Sequence, residues 1–566
     1  MLEKKSSPFI SLVHLQRLKQ LCDHYPLGQA SKTGVASLAF QLNCSDRNIA
    51  KLVKTLMAIG WLEWKAGRGR GNKSELTLKL SFEQALLQCL ESYCRKGELS
   101  EALRYAEHFD FTEQFHSRLP EWLNEAQDSL KQQNVLVTLV PYEFPKCHPL
   151  WTYSSSSRLY INAVYDTLFV YDKVSKKLQP SLVHHYEFRD HELWLRLRPD
   201  VYFHNGDLLT PQHVAETIRL RQTTDNPYRL LYRHITDIRT QGSWVVLSLS
   251  HPHPIILHVL AENHSAIFHP FDKAELPSGT GPYKFGSVDN WHWTLTKNHQ
   301  YFGMPGLIEK AEFWTSDSVE EGLIQSHIIQ HKVDVGNDSG KQLKAGCEVL
   351  EFIDSPNGLS LPERTWIAHH ARQFVRELNS DSLPIADTLL ECHQANGFHL
   401  FQTEMCPPKR KIRVWVEACN LKASEMLFSY LSSLGVEFEL LEKAHRKERF
   451  SPPFENIDVI IRGYVFNDDL AFCYYSWLIS SATFKLCLTE SQRQNLLEFI
   501  DFTILSSESS DDFLHKLYRC EDWMVQQCAF VPLWREFSSY DFSDTLQGVE
   551  VDNMGVLTLK KIWFDD

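Results

Sequence analysis

The sequence predicts an α/β chain in three parts: a small basic head of three helices closed by a hairpin, a helical connector, and a large α/β body. Three observations lead there. Charge is unevenly divided: residues 1–80 hold 13 Lys/Arg against 5 Asp/Glu, about +8, whereas the whole chain is −13, so the remainder sums to about −21. Apolar spacing is helical as far as about residue 133 and then gives way to short β-rich runs. Finally, 566 residues are too many for one core, so about two to four domains are expected.

The head, residues 1–80, is taken element by element. Residues 9–24 carry Ile10, Leu12, Val13, Leu15, Leu18 and Leu21, mostly at helical spacing. Pro26, Gly28 and Gly34 read as a loop, and residues 35–42 as a short helix with Val35, Leu38, Ala39 and Leu42 on its inner face. Asn43 and Cys44 make a tight turn, and Ser45 is placed to N-cap a third helix running to Ile59, where Gly60 stops it. That helix sorts into two faces. Ile49, Leu52, Val53, Leu56 and Ile59 point inward; Arg47, Lys51 and Lys54 fall on the opposite side with Asn48 and Thr55 beside them. An exposed basic face on the third helix of such a head has the character of a recognition helix for the major groove.

Strands from Trp61 to Trp64 and from Glu75 to Leu80 flank the tip Gly67-Arg68-Gly69-Arg70-Gly71-Asn72-Lys73. The glycines let backbone amides approach phosphates, while Arg68, Arg70 and Lys73 supply positive charge, so the hairpin reads as a wing. The fold expected is a winged helix-turn-helix, its partner double-stranded DNA. The plainer alternative is a small helical domain with a solvated basic face. A nucleotide loop does not fit, because the glycines lie in a hairpin, lack a G-K-[ST] ending and open no helix.

Residues 81–133 are helical in character, with a new helix expected to begin at Pro120. They serve as a connector, a dimer contact or a plain packed spacer, and the oligomeric state stays open. From about Val135 an α/β pattern follows. No apolar run reaches the roughly 18 residues that span a bilayer, and residues 1–11 have two lysines but no apolar stretch of the kind secretory signals use. Thirteen scattered cysteines without a C-x-x-C pair suit reduced thiols. The expected compartment is the cytoplasm.

Residues 193–215, LWLRLRPDVYFHNGDLLTPQHVA, resemble the signature of the oligopeptide/nickel-type (family 5) solute-binding proteins, with its "V-x-F-H-x-G-x-x-L-T" core; His213 stands where that family has an acidic residue, a surface position expected to matter little. Val164-Tyr165-Asp166-Thr167-Leu168 is similar to the family's "V-Y-E-x-L", Gly279-Thr280-Gly281-Pro282-Tyr283 to its "G-T-G-P-Y", and Asn298 to Tyr301 to the element that follows. More loosely, Ala371 to Phe374 resembles a helix start, residues 411–438 a strand–helix unit, residues 458–464 a strand entering the cleft, and Val531 to Trp534 a closing strand. The resemblance covers about residues 136–566. It implies a two-lobed, periplasmic-binding-protein-like sensor (type II, family 5) over 134–566, with lobe I at about 134–340 plus 535–566 and lobe II at about 341–534. A winged-helix head on such a body resembles the SgrR family of transcriptional regulators. That resemblance implies a regulator that senses a small solute, a sugar or sugar phosphate, and controls transport or sugar-stress genes. The rival reading is the solute receptor of an ABC-type transporter.

Nothing points to catalysis, and no cofactor is expected. Residues 336–340 lack the Ser of a nucleophile elbow. His327 and His331, i and i+4 on an expected helix, and His251, His253 and His258 are the metal candidates; no motif places a carboxylate between the first two, and the resemblance implies a structural role for the other three. For the solute, Arg158, Tyr283, Arg462, Tyr464, Asp468 and Asp469 are the candidate cleft residues: arginine suits an anion through bidentate bonds and tyrosine stacks on a sugar ring.

Overall fold

The structure, a computed structural model, describes residues 11–67, 73–140, 142–145, 147–151, 155–251, 255–289, 292–315, 328–330, 341–378, 383–393, 405–416, 421–441 and 457–565. The chain divides into two compact units that part at Val135 and Leu136.

In the first unit, α1 (Leu12–His24), β1 (Ser31–Thr33), α2 (Val35–Gln41), α3 (Asp46–Ile59), β2 (Leu62–Lys65) and β3 (Ser74–Leu78) build the head. Leu15, Leu18, Leu21, Leu38, Leu42, Ile49, Leu56, Trp61, Leu76 and Leu78 are its buried core, so each helix turns its apolar stripe inward. Arg17 of α1 donates to the carbonyl of Leu42 at 2.6 Å and pins the turn before α3. Asn43 in that turn has φ +48°, the left-handed region asparagine tolerates. The sheet order is β1-β3-β2, with Leu62 opposite Leu78 and Lys65 opposite Glu75. Strand β1 lies within the stretch expected to be a loop; three residues are too few to show a period of two.

Helices α4 (Phe82–Arg95), α5 (Leu99–His108) and α6 (Thr112–Gln132) follow. Ser81 and Gln84 form a capping box at the start of α4. Tyr93 donates from its hydroxyl to that of Tyr105 at 3.1 Å. Pro120 does not begin a helix: α6 runs through it from Thr112, and proline's missing N–H removes one bond from the ladder. Lys19 of α1 lies 5.4 Å from the ring centroid of Phe82, and Gln16 bonds His108 at 2.8 Å, so the connector helices pack on the head.

The second unit holds two large sheets. One is seven-stranded, in the order Tyr283–Val288, His292–Lys297, Lys310–Thr315, Val135–Val140, Ile328–Gln330, Phe537–Phe542, Lys341–Leu343. The other is five-stranded: Phe438–Leu440, Ile412–Val416, Val459–Val465, Gly346–Phe352, Phe530–Pro532. A four-stranded antiparallel sheet, Val183–Arg189, Glu192–Leu197, Trp244–Leu249 and Ile235–Gln241, accompanies the first. The chain crosses between the large sheets twice, after Leu343 and after Pro532, which defines a first lobe outside the crossings and a second between them. Arg535 ties the crossings together by donating to the carbonyls of Gly346 (2.9 Å), Leu389 (3.0 Å) and Thr388 (3.1 Å), and Lys344 pairs with Glu536 at 3.2 Å.

Three expectations change here. Ile328–Gln330 is a strand where a helix was expected; His327, His331 and residues 336–340 fall outside the described residues. Ala371 to Phe374 sit in the second half of helix Leu361–Leu378, and Arg372 is buried there, donating to the carbonyl of Pro532 at 2.9 Å. His213 does matter: its Nδ1 accepts from the N–H of Thr210 at 3.1 Å and closes a capping box on helix Pro211–Thr223, the job an acidic side chain does at that position.

Candidate functional site

The head presents its basic face as the helical spacing predicts. Ser45 N-caps α3, its hydroxyl oxygen accepting from the N–H of Asn48 at 3.4 Å. Gly60, at φ +88°, closes the far end, where the N–H of Trp61 reaches the carbonyl of Leu56 at 2.9 Å. Ile49, Val53 and Leu56 are buried, while Arg47, Asn48, Lys51 and Lys54 are exposed. Thr55 is half-buried and donates its hydroxyl proton to the carbonyl of Lys51 at 3.0 Å. Lys65 and Lys79 are shared with Glu63, at 3.5 and 2.8 Å. Among the described residues, by contrast, no carboxylate pairs with Arg47, Lys51, Lys54 or the exposed Lys73. Arg68 and Arg70 lie outside the described residues. A helix with three unneutralised cations on its solvent side can meet phosphates at no cost in broken ion pairs, with Asn48 free to read a base edge.

In the body, the expected cleft residues fall into three places. Arg158, on α7 (Ser155–Val164), belongs to a network joining the lobes. Its guanidinium lies 3.2 Å from Glu262 and 3.3 Å from Asp552. Glu262 also accepts from Asn467 of the second lobe, Asn467 accepts from the N–H of Asp469 at 2.9 Å, and Asp469 meets His258 of the first lobe at 2.5 Å. Burial would lower the basicity of Arg158, but Glu262 and Asp552 more than reverse it and keep the group charged. Burial raises the Asp552 carboxyl against the pull of Arg158, and Asp468 nearby adds to the rise. Asp468 is half-buried.

Arg462 and Tyr464 form a second cluster inside the second lobe. Arg462 Nε is 3.2 Å from the fully buried Glu351, and the Tyr464 hydroxyl donates to the same carboxylate at 2.7 Å, where Thr483 also donates. Tyr283 stands apart: it is fully buried in the core of the first lobe. The expectation that Arg158 and Arg462 wait for an anion is corrected accordingly, because each is already held by the chain's own carboxylates. A second pair of lobe contacts was not expected: Arg233 and His234 both meet Asp501 of helix Glu490–Ser506, His234 at 3.1 Å, and Arg233 also reaches the Tyr475 hydroxyl at 3.1 Å. Sequence reading had no signal for Glu262, Asn467, Asp552 or Asp501, whose partners lie far away along the chain.

His258 is spent on Asp469, and His253 lies outside the described residues. Among the described residues, no group of three or more His, Cys, Asp or Glu is arranged to hold a metal, and no helix is long and apolar enough to cross a membrane.

A winged helix with an open basic face, joined to two α/β lobes that meet across a polar network, defines a DNA-binding protein with a solute-binding body. Comparison with known proteins agrees. The family described as "Sugar transport-related sRNA regulator N-term" matches residues 14–125, and "Bacterial extracellular solute-binding proteins, family 5 Middle" matches residues 177–329. The HTH-type transcriptional regulator SgrR of Yersinia pestis (strain Pestoides F) is 23% identical over 564 residues, 95% of this chain and 96% of that protein. The protein YhjP of Bacillus subtilis (strain 168) is 27% identical over 332 residues, 56% of each chain. Among solved structures, the periplasmic binding protein DppA of Helicobacter pylori, in complex with peptide STSA, covers 77% of this chain and all of its own at 15% identity and a TM-score of 0.62. A dipeptide binding protein of Pseudoalteromonas sp. SM9913, in complex with Met-Leu, covers 76% at 15% identity and a TM-score of 0.60. These last two establish the fold of the body. The chain is thus similar to SgrR-type transcriptional regulators over 95% of its length, and its body is similar to family 5 solute-binding proteins.

Proposed function

We propose that residues 1–80 bind double-stranded DNA with α3 in the major groove, that residues 81–133 link them to the body, and that residues 134–566 sense a small solute in the cytoplasm. On this reading Arg47, Asn48, Lys51 and Lys54 face the groove, Thr55 lies beside them and Ser45 sets the start of the helix. Arg68, Arg70 and Lys73 of the wing neutralise phosphates. The observation that carries it is the row Arg47, Lys51, Lys54, exposed and without carboxylate partners among the described residues. The family name of the head, "Sugar transport-related", favours a sugar or a sugar derivative as the solute and transport genes as targets. The relatives are regulators and binding proteins, which supports a role without catalysis.

The network Arg158–Glu262–Asn467–Asp469–His258 and the Arg233–Asp501 pair hold the lobes together. A solute acts by changing how readily they part. Shifting a two-state body almost completely takes a differential affinity of about 5.5 kcal/mol, within the roughly 8 kcal/mol that a micromolar ligand supplies. Fluorescence anisotropy with double-stranded DNA tests the first step: the double variant Lys51→Glu, Arg68→Glu loses binding, and unchanged affinity in that variant contradicts the assignment.

A further inference from the structure

A groove of about 500 Å³ lies on the head, beside the basic face of α3. A water molecule takes up only about 30 Å³, so the groove has room for a segment of a larger ligand. Helix α3 lines it with Ala50, Lys54, Met57 and Ala58, β2 with Trp64, and α2 with its first residue, Val35.

The walls follow from the local structure. Ala50, Lys54 and Ala58 stand at i, i+4 and i+8 and form one row along α3, next to Arg47 and Lys51. Trp64 pairs with Leu76, which is fully buried, so its ring is turned toward the helices, while Glu63 and Lys65 fall on the other face of the sheet. Met57 is 42% exposed and Trp64 is half-buried, so the head's own packing leaves apolar surface of both uncovered.

The groove carries one charge. Lys54 is its only ionisable lining residue, and among the described residues no carboxylate pairs with it. Glu63, on the far face, is engaged by Lys65 and Lys79. Apolar walls with a single unneutralised ammonium fit a ligand that is apolar along its length and anionic at intervals.

Position identifies that ligand. The groove shares Lys54 with the basic face of α3 and is bounded on its other side by the strand that leads into the wing. With α3 in the major groove and the wing on the flanking phosphates, the sugar–phosphate strand that borders the major groove must cross between α3 and β2. Its deoxyribose carbons then meet the apolar walls and a phosphate meets Lys54.

We propose that this groove grips one sugar–phosphate strand of the duplex, with Trp64 and Met57 against deoxyribose and Lys54 on a phosphate. The inference rests on the head being the DNA-binding module, and it adds two contact residues that carry no charge.

The test is fluorescence anisotropy of the full-length protein on two labelled duplexes of equal length and unrelated sequence, at several salt concentrations. Met57→Ala and Trp64→Ala each weaken binding about tenfold, the scale of one large apolar side chain withdrawn from water. The factor is the same on both duplexes, because the backbone is the same polymer in each. The log–log salt slope stays at the parent value in these two variants, whereas Lys54→Ala lowers it by about one contact. Trp64→Phe keeps an aromatic wall and most of the affinity, and circular dichroism checks that every variant is folded. Parent affinity in folded Met57→Ala and Trp64→Ala overturns the inference and leaves the head as a DNA-binding module. A loss confined to one duplex also overturns it, since that places a base in the groove. A parent protein that binds neither duplex overturns both this inference and the reading of the head.

Discussion

His204 and Asn298, 94 positions apart, bond a single oxygen, the carbonyl of Gly281, each at 3.0 Å. Gly281 in turn donates its N–H to the Val164 carbonyl at 2.9 Å. A Cβ on Gly281 would stand 2.5 Å from the backbone of Val164, so no larger residue fits there. Asp166 completes the knot, accepting from Thr280 at 2.9 Å and from the Tyr301 hydroxyl at 3.0 Å. The four sequence elements that resemble the solute-binding family thus meet around one glycine, where they brace the first lobe.

Removing either donor leaves the other to satisfy the Gly281 carbonyl. His204→Ala and Asn298→Ala each lower stability by about 0.5–1.5 kcal/mol, and the double variant, which orphans that buried oxygen, costs more than their sum. Urea denaturation of the three variants measures this; strict additivity contradicts a shared acceptor.

Acid weakens the same lobe. Burial brings His204 and His148 each down to about 4 from an ordinary 6.5, and Arg221 adds to the effect on His148. Above pH 6.5 both rings are neutral folded or unfolded, and they contribute nothing. Between 6.5 and about 4 only the unfolded chain takes up protons, so stability falls with pH, by at most about 3 kcal/mol for each ring. Thermal melting between pH 7 and pH 5 therefore shows a declining Tm, with a shallower slope in His204→Gln. A flat profile in the parent protein counts against burial of these rings.

Asp501 holds Arg233 and His234 across the lobes. Burial would raise its carboxyl, but His234 and Arg233 keep it below its ordinary 3.8, so its contribution is present above that pH and fades as pH drops below it. At neutral pH, Asp501→Asn loosens the body by about 1–3 kcal/mol and enlarges its radius of gyration in X-ray scattering. Unchanged scattering and unchanged stability contradict a role for this pair in holding the lobes.

Gly346 sits at a crossing between the two large sheets with φ +152°, and a Cβ there would lie 2.0 Å from the carbonyl oxygen of Tyr464. Gly346→Ala forces its strand away from the neighbouring strand Val459–Val465 and costs about 3 kcal/mol or more, from the overlap and the strained backbone together. A melting temperature equal to that of the parent shows that the crossing relaxes freely.

Much of the head was legible because its helices are amphipathic: the stripe Ile49, Val53, Leu56 and the opposing Arg47, Lys51, Lys54 follow from a period of 3.6, and Ser45 and Gly60 mark both ends. Strand β1 was not, being three residues long. Nor was the passage of α6 through Pro120, because packing of the surrounding helix outweighs a local propensity. The motifs of the first lobe named the family correctly, but they did not name a binding site: Tyr283 went to the core and His204 to the brace. Arg158 and Arg462 looked available because their partners, Glu262 and Glu351, stand more than a hundred positions away. Charge pairing over that separation leaves no local signature.

The central claim, that α3 holds DNA by its open basic face, is tested most directly by the salt dependence of binding. Affinity of the full-length protein for a duplex is measured across roughly 50–200 mM salt, beside Lys51→Ala and Lys54→Ala. The account predicts a steep log–log slope of about −0.9 per phosphate contact and a decrease of about one contact in each variant, with sequence preference retained. A slope that is the same in all three proteins would mean that this face does not touch the duplex.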